Sequence, residues 1–175
     1  MAENKMKDAP SPVGESKTRI DAREKVTGAA LFADDIQFGN ALLHARIKRS
    51  PHPHALIKRI DITKAIALPG VKAIVTGEDF PGYIGLYLQD RYIFCRDRVR
   101  YVGDPVAGVV AASEEIAQKA LDLIEVDYEV LEPVLDPEFG ASAKAPLLHP
   151  DLGKYVVANF IFPEPGTNSY KHIRI

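Results

Sequence analysis

The chain has 175 residues, 46% of them hydrophobic, which suits one ordinary globular domain of about 100–200 residues with short appendages. Lys and Arg number 22 against 24 Asp and Glu, a formal charge of −2, so no basic excess exists to neutralise a phosphate backbone or coat an anionic membrane. Nucleic acid and membrane are therefore not expected partners, and the single cysteine, Cys95, precludes an intramolecular disulfide and an iron–sulfur or Cys-based zinc site built by this chain alone.

Residues 1–18, MAENKMKDAPSPVGESKT, mix charge with Pro, Gly and Ser and lack a secretory apolar region. They are expected to form a flexible arm. The longest apolar stretch, Pro105 to Ala112, is far short of the roughly 20 residues needed to cross a bilayer. With one cysteine this composition reads as a cytoplasmic chain.

From Ala41 to Arg49, Leu43, Ala45 and Ile47 alternate with His44, Arg46 and Lys48, the period of a strand with one wet face. Ala55 to Ile60 reads as its partner strand. Asp61 is placed to cap a short helix carrying Ile62, Ala65, Ile66 and Leu68, closed by Pro69-Gly70 before the strand VKAIVT at 71–76. The order then recurs. Tyr92 to Tyr101 is mixed in pattern, Gly103-Asp104-Pro105 signals a turn, and PVAGVVAA has no polar residue, as in a strand covered on both faces. Ser113 stands at an N-cap position before Glu114 and Glu115, whose charge favours a helix N-terminus, and Ile116, Ala117, Ala120, Leu121 and Ile124 form a buried stripe. Val126, Tyr128 and Val130 then alternate with Asp127, Glu129 and Leu131.

After Pro133 the punctuation by Pro and Gly predicts an extended surface tail, whose Tyr155, Val156, Val157, Phe160, Ile161 and Phe162 are too many for a free linker and need something to pack on. The fold class expected is α+β: a mixed β-sheet with two strand–helix–strand units and an extended C-terminal tail. Its divisions are residues 1–18 as arm, 19–140 as the folded domain and 141–175 as connector.

The patterns that announce common chemistries are absent from the sequence: no GxGxxG, Walker loop, HExxH, CxxC or GxSxG occurs. The turn opening the helix at 113 is AAS, which offers no glycine cradle for phosphate. His52 and His54 in SPHPH are two apart and in extended backbone would share a face, but their flanking prolines mark a connecting loop without a third ligand nearby. Asp34 and Asp35 read as turn or helix-entry residues rather than cation ligands. Arg96 beside Cys95 would lower the thiol pKa, yet Phe94 and a strand context favour an inert, half-buried thiol. No catalytic, cofactor-binding or metal-binding residue is assigned to the chain.

Three stretches together resemble a known family. RIDAREKVTGAALFADDI at 19–36, ALLHARIKRSPHPHALIKRID at 41–61 and VRYVGDPVAGVVAASEEIAQKALDLIEVDYEVLEPV at 99–134 look like the start of the molybdenum-binding subunit of xanthine dehydrogenase and aldehyde oxidase type enzymes. The likeness extends through HPDLGKYVVANFIF, similar to the connector leaving the family's α/β-hammerhead domain. The resemblance implies hydroxylation of an aldehyde or aromatic heterocycle, with molybdopterin, iron–sulfur clusters and FAD as a further possible cofactor, all held outside this stretch. It implies a structural and assembly role here, with the molybdopterin-binding domain or subunit as partner and self-association through the tail as a second possibility. The alternative is a free-standing interaction or ligand-binding module on the same scaffold.

Overall fold

The structure, a computed structural model, describes residues 13–36 and 38–170. Two compact units divide the chain after Leu42. In chain order the regular elements are α1 (Ala22–Thr27), β1 (His44–Arg49), β2 (Ala55–Asp61), α2 (Thr63–Ile66), β3 (Val71–Thr76), β4 (Arg98–Val99), β5 (Pro105–Ala111), α3 (Glu114–Leu123), β6 (Glu125–Val130) and α4 (Pro137–Ala141). The expected arm, residues 1–18, lies for the most part outside the described residues.

In the first unit α1 ends at Gly28, whose φ of 73° closes the helix in the left-handed conformation that glycine adopts without steric cost. None of its residues is buried. Asp34 and Asp35 fall in a single 3-10 turn, where Asp35 Oδ2 accepts the Phe32 N–H at 2.9 Å. The turn role read from the sequence is the one this carboxylate fills.

The second unit is built on β5. Its run of Val, Ala and Gly has no polar side chain, so the strand can be covered on both faces. One face carries Ala107, Val109 and Ala111 against Ala117, Ala120 and Leu121 of α3. From the other face Val106 joins a second cluster with Ala55, Cys95 and Val99. At Gly108 a Cβ would stand 2.9 Å from Phe94 Cζ and 3.0 Å from Val75 Cγ2, so only glycine lets the ring approach. Helix α3 starts where the sequence indicates: Ser113 Oγ accepts the Ile116 N–H at 3.3 Å, with Glu114 and Glu115 in the first turn.

The α+β composition is as expected, but its strands pair differently. Among the described residues the strands form two three-stranded sheets instead of one mixed sheet, in the orders β1-β5-β3 and β4-β2-β6, and every pairing in them is antiparallel. Strand β2 is not the partner of β1. The link between them carries Pro51 and Pro53 and buries Ser50 and His54, so it is no tight hairpin turn and delivers the chain to the other sheet. Asp61 closes β2 rather than capping from outside it, although its Oδ1 does accept the Thr63 N–H at 2.9 Å. The tail is extended apart from the 3-10 turn Leu152–Lys154 and α4, a short helix whose N-cap Asp136 accepts the Phe139 N–H at 2.8 Å and whose first residue is Pro137. The Asp-Pro pair was the signal for that helix.

The faces of β1 are also reversed relative to the sequence pattern. Ile47 is 43% exposed, while Arg46 pairs with Glu114 and Lys48 Nζ donates to the Leu121 carbonyl at 3.0 Å. The basic stems thus line the α3 side, their apolar carbons covering the helix edge while their charged ends find partners. No helix among the described residues is long and apolar enough to cross a membrane.

Substituting Val109, which is 0% exposed, tests this core. Val109→Asp places an unpaired carboxylate between β5 and α3 and is expected to cost about 4 kcal/mol or more. Urea unfolding followed by circular dichroism checks it; a loss below about 1 kcal/mol would remove β5 from the centre of the fold.

Candidate functional site

The polar groups of the second unit gather where β4 and the residues before β2 meet the segment leaving β6. His54 is 1% exposed. Its Nδ1 lies 2.7 Å from the Glu132 carbonyl and its Nε2 lies 3.0 Å from Arg98 Nη1. Arginine only donates, so Nε2 accepts and Nδ1–H donates, which assigns a neutral ring with its proton on Nδ1. The Leu131 N–H returns a bond to the His54 carbonyl at 2.9 Å.

Two arginines extend this seam. Arg98 Nη1 also donates to the Leu147 carbonyl at 3.3 Å, and Arg100 Nε donates to the Leu148 carbonyl at 2.8 Å. The Arg100 N–H is bound by Asp104 Oδ2 at 2.9 Å. Asn168 completes the set, accepting from the Leu148 N–H at 2.9 Å and donating to the Gly140 and Pro146 carbonyls at 3.1 Å. His52 and His54 both lie in the connecting loop expected, but His54 is buried and its two ring nitrogens are both committed to protein partners. His52 rests edge-on against Tyr128, ring centroids 5.0 Å apart. The sequence held no local signal for this, because Arg98 and Glu132 are distant along the chain.

Cys95 is 4% exposed. Burial, and after it the neighbouring Asp104 carboxylate, push its thiol well above the ordinary range. Arg96 does not counter this: it pairs with Glu78 at 3.0 Å and lies over the Tyr92 ring. The thiol is held protonated and is a poor nucleophile and ligand.

A second feature is apolar. The loop at 83–93 and the tail are joined by a bridge between Leu88 and Val157, with the Gln89 N–H donating to Val156 O at 2.9 Å and the Ala158 N–H to Tyr87 O at 2.8 Å. Tyr83 stacks on Tyr92 at 4.4 Å and meets Tyr155 edge-on at 5.0 Å. Leu152, Tyr155 and Ile161 are buried by the chain itself, so Tyr155 does not await an outside cover as the sequence pattern suggested. Leu86, 84% exposed, and Tyr87, Val156, Phe160 and Phe162 face outward. Beside them opens a cavity of about 580 Å³ whose walls include Leu86, Leu88, Leu148 and Tyr170 and whose polar side chains include Asp90, Arg91, His149 and Asn168. His149 Nε2 stands 3.7 Å from Asp90 Oδ2. Burial, and then Arg100, hold this imidazole below its ordinary pKa against the pull of Asp90.

Among the described residues no three His, Cys, Asp or Glu side chains converge as a metal-ligand set. The donor chemistry that is present, a protonated buried thiol and a doubly bonded imidazole, does not fit a molybdenum or iron–sulfur centre held by these residues.

The sheets, helices and connector define a hammerhead-type domain, and residues 27–132 match the family model described as aldehyde oxidase and xanthine dehydrogenase, a/b hammerhead domain. The chain belongs to that family. It is 43% identical over 138 residues to a probable xanthine dehydrogenase subunit from Bacillus subtilis, covering 78% of this chain and 18% of that protein. It is 37% identical over 147 residues to the nicotinate dehydrogenase large molybdopterin subunit of Eubacterium barkeri, covering 83% and 34%. Among solved structures it superposes on a Cu,Mo-CO dehydrogenase with a TM-score of 0.71 at 34% identity, over 77% of this chain and 17% of that one. The aldehyde oxidoreductase of Desulfovibrio gigas matches with a TM-score of 0.68 at 30% identity, over 76% and 16%. The chain thus spans from about a sixth to a third of the length of these relatives.

Two measurements check the site. His54→Ala leaves the Glu132 carbonyl and the Arg98 guanidinium short of a partner and is expected to cost about 2–4 kcal/mol, whereas His52→Ala costs about 1 kcal/mol or less; denaturant melts showing the reverse order would displace His54 from the seam. Iodoacetamide is expected to leave Cys95 unmodified in the native chain and to alkylate it on unfolding, as read by mass spectrometry.

Proposed function

We propose that this chain serves as the hammerhead domain of a molybdenum-dependent hydroxylase of the xanthine dehydrogenase and aldehyde oxidase type, in the cytoplasm, with a structural and assembly role and no catalytic, cofactor-binding or metal-binding group of its own. Molybdopterin, iron–sulfur clusters and any FAD belong to other parts of the complete enzyme, which oxidises an aldehyde or aromatic heterocycle. The observation that carries this reading is the outward apolar set Leu86, Tyr87, Val156, Phe160 and Phe162, which flanks the Leu88–Val157 bridge and in which Tyr87 and Phe160 meet edge-on with ring centroids 5.3 Å apart. Solvent-facing groups of this size are characteristic of surfaces that a partner covers. Its partner is the molybdopterin-binding domain or subunit of the same enzyme. Residues 19–140 act as the folded unit, and 141–175 as the connector toward that partner.

One observation favours a second reading. The cavity beside Leu86, with Asp90, Arg91 and His149 at its polar end, has the size of a small-molecule pocket, as a free-standing ligand-binding module would require. The two readings separate by experiment. Mixing the chain with a separately expressed molybdopterin-binding segment of the same enzyme is expected to protect the tail from limited proteolysis. Replacing Leu86 and Phe160 together by Asp is expected to weaken that association at least about 100-fold, since each large apolar group contributes about 1.5–3 kcal/mol when covered. A tail already protected in a monomer and indifferent to the partner gives the free-standing module; a tail protected by self-association gives a dimer surface instead.

A further inference from the structure

Arg46, Arg59 and Arg96 each lie against a carboxylate. Arg91 and Arg100 do not: among the described residues no ion pair joins either guanidinium to an acidic side chain. Arg100 gives Nε to the Leu148 carbonyl at 2.8 Å, and its two terminal nitrogens make no hydrogen bond to a described residue. The Arg91 side chain makes none at all there, since only its backbone is bonded, to Ile84.

These two arginines face one space. With Tyr92, Tyr101, Asp104 and His149 they line a cavity of about 190 Å³. Arg91 and His149 also line the larger cavity of about 580 Å³, so the two spaces adjoin at these residues. The larger one contributes Leu86, Leu88, Leu148 and Leu152. In the smaller one Asp104 is 7% exposed, and its Oδ2 accepts the Arg100 N–H at 2.9 Å. Burial and Arg100 hold His149 neutral, so two positive charges against one negative leave a net +1 in the smaller cavity. Asp90 lines only the larger one.

We propose that the adjoining cavities form a binding site for a small organic monocarboxylate, its carboxylate between Arg91 and Arg100 and its apolar body along Leu86, Leu88 and Leu148. Guanidinium groups donate to a carboxylate through charge-assisted, geometrically matched bonds, and partial enclosure strengthens them relative to water. A single leftover positive charge suits a monoanion better than a phosphate dianion, and the leucines favour an acid with an aromatic or branched body over a bare ion. The mixture of apolar wall and few convergent polar groups is that of a small-molecule site. This rests on the reading of the larger cavity as a ligand pocket and names its ligand. Binding is a property of the chain alone, so its failure leaves the assembly role untouched.

The experiment is a ¹H–¹⁵N NMR titration of the full chain with four probes at about pH 7.5, where a carboxylic acid is fully ionised. Phenylacetate is expected to give saturable shifts at the Leu88, Arg91, Arg100 and His149 amides, with a Kd of about 1 mM or tighter. Phenylacetamide, which has the same shape without the charge, 2-phenylethylamine and acetate are each expected to bind at least about tenfold more weakly. Arg91→Gln removes a side chain that bonds nothing in the fold; it is expected to leave the unfolding midpoint unchanged and to weaken phenylacetate at least about tenfold. Equal binding of phenylacetamide, or an unchanged phenylacetate affinity in Arg91→Gln, would keep the pocket and overturn its carboxylate end. Tighter binding of 2-phenylethylamine would give that end to Asp90, and acetate binding as tightly as phenylacetate would leave an adventitious ion only; both overturn the proposal. No saturable binding of any probe would overturn the ligand pocket as well, and if Arg91→Gln then weakened association with the molybdopterin-binding segment, the cleft would belong to an acidic side chain of that partner.

Discussion

Both hydrophobic clusters of the domain meet in one strand. Between Pro105 and Ala111 each side chain is apolar, and alternate residues go to opposite sides: Ala107, Val109 and Ala111 to the α3 cluster, Val106 to the cluster of Ala55, Cys95 and Val99. Small size matters as much as hydrophobicity here. Alanines let α3 lie close on one side, and the missing side chain of Gly108 admits Phe94 on the other. Because β1 and β3 both pair with β5, its position also fixes the register of the first sheet.

That centre was legible in the sequence because it depends on local chemistry. An uninterrupted apolar run, a Ser cap with two glutamates behind it, and a stripe at helical spacing each encode their structure within a few residues. Pairing was not legible. Two strand–helix–strand units suggested a mixed sheet, yet β1 joins β5 and β2 joins β6, because the Ser50–His54 link crosses between sheets instead of turning back. Strand periodicity was read correctly for β1 and its sides were reversed. A period of two says that the faces differ; which one this chain covers depended on Glu114 and the Leu121 carbonyl, both far along the sequence.

The tail shows the same division. Its apolar content correctly demanded a surface to pack on, and the chain supplies part of that surface itself: Leu152, Tyr155 and Ile161 turn inward. Phe160 and Phe162 belong to the same run and face out. Residue type could not separate the two sets, since the separation is made by the Leu88–Val157 bridge with a loop some seventy residues upstream.

The buried polar groups of the second unit are committed to the chain's own path. An acid, base or ligand must keep a lone pair or proton available to something outside the fold. His54 has both nitrogens bonded, Arg98 Nη1 and Arg100 Nε donate to the Leu147 and Leu148 carbonyls, Asn168 is used at both amide atoms, and the Cys95 thiol is held protonated beside Asp104. His54, Arg98, Arg100 and Asn168 each fix one segment against another. The commitment concentrates where the matched domain ends and the connector begins. Buried polarity thus goes to the path by which the chain leaves β6, and Val156, Phe160 and Phe162 face outward further along it, the arrangement on which the proposed assembly role rests.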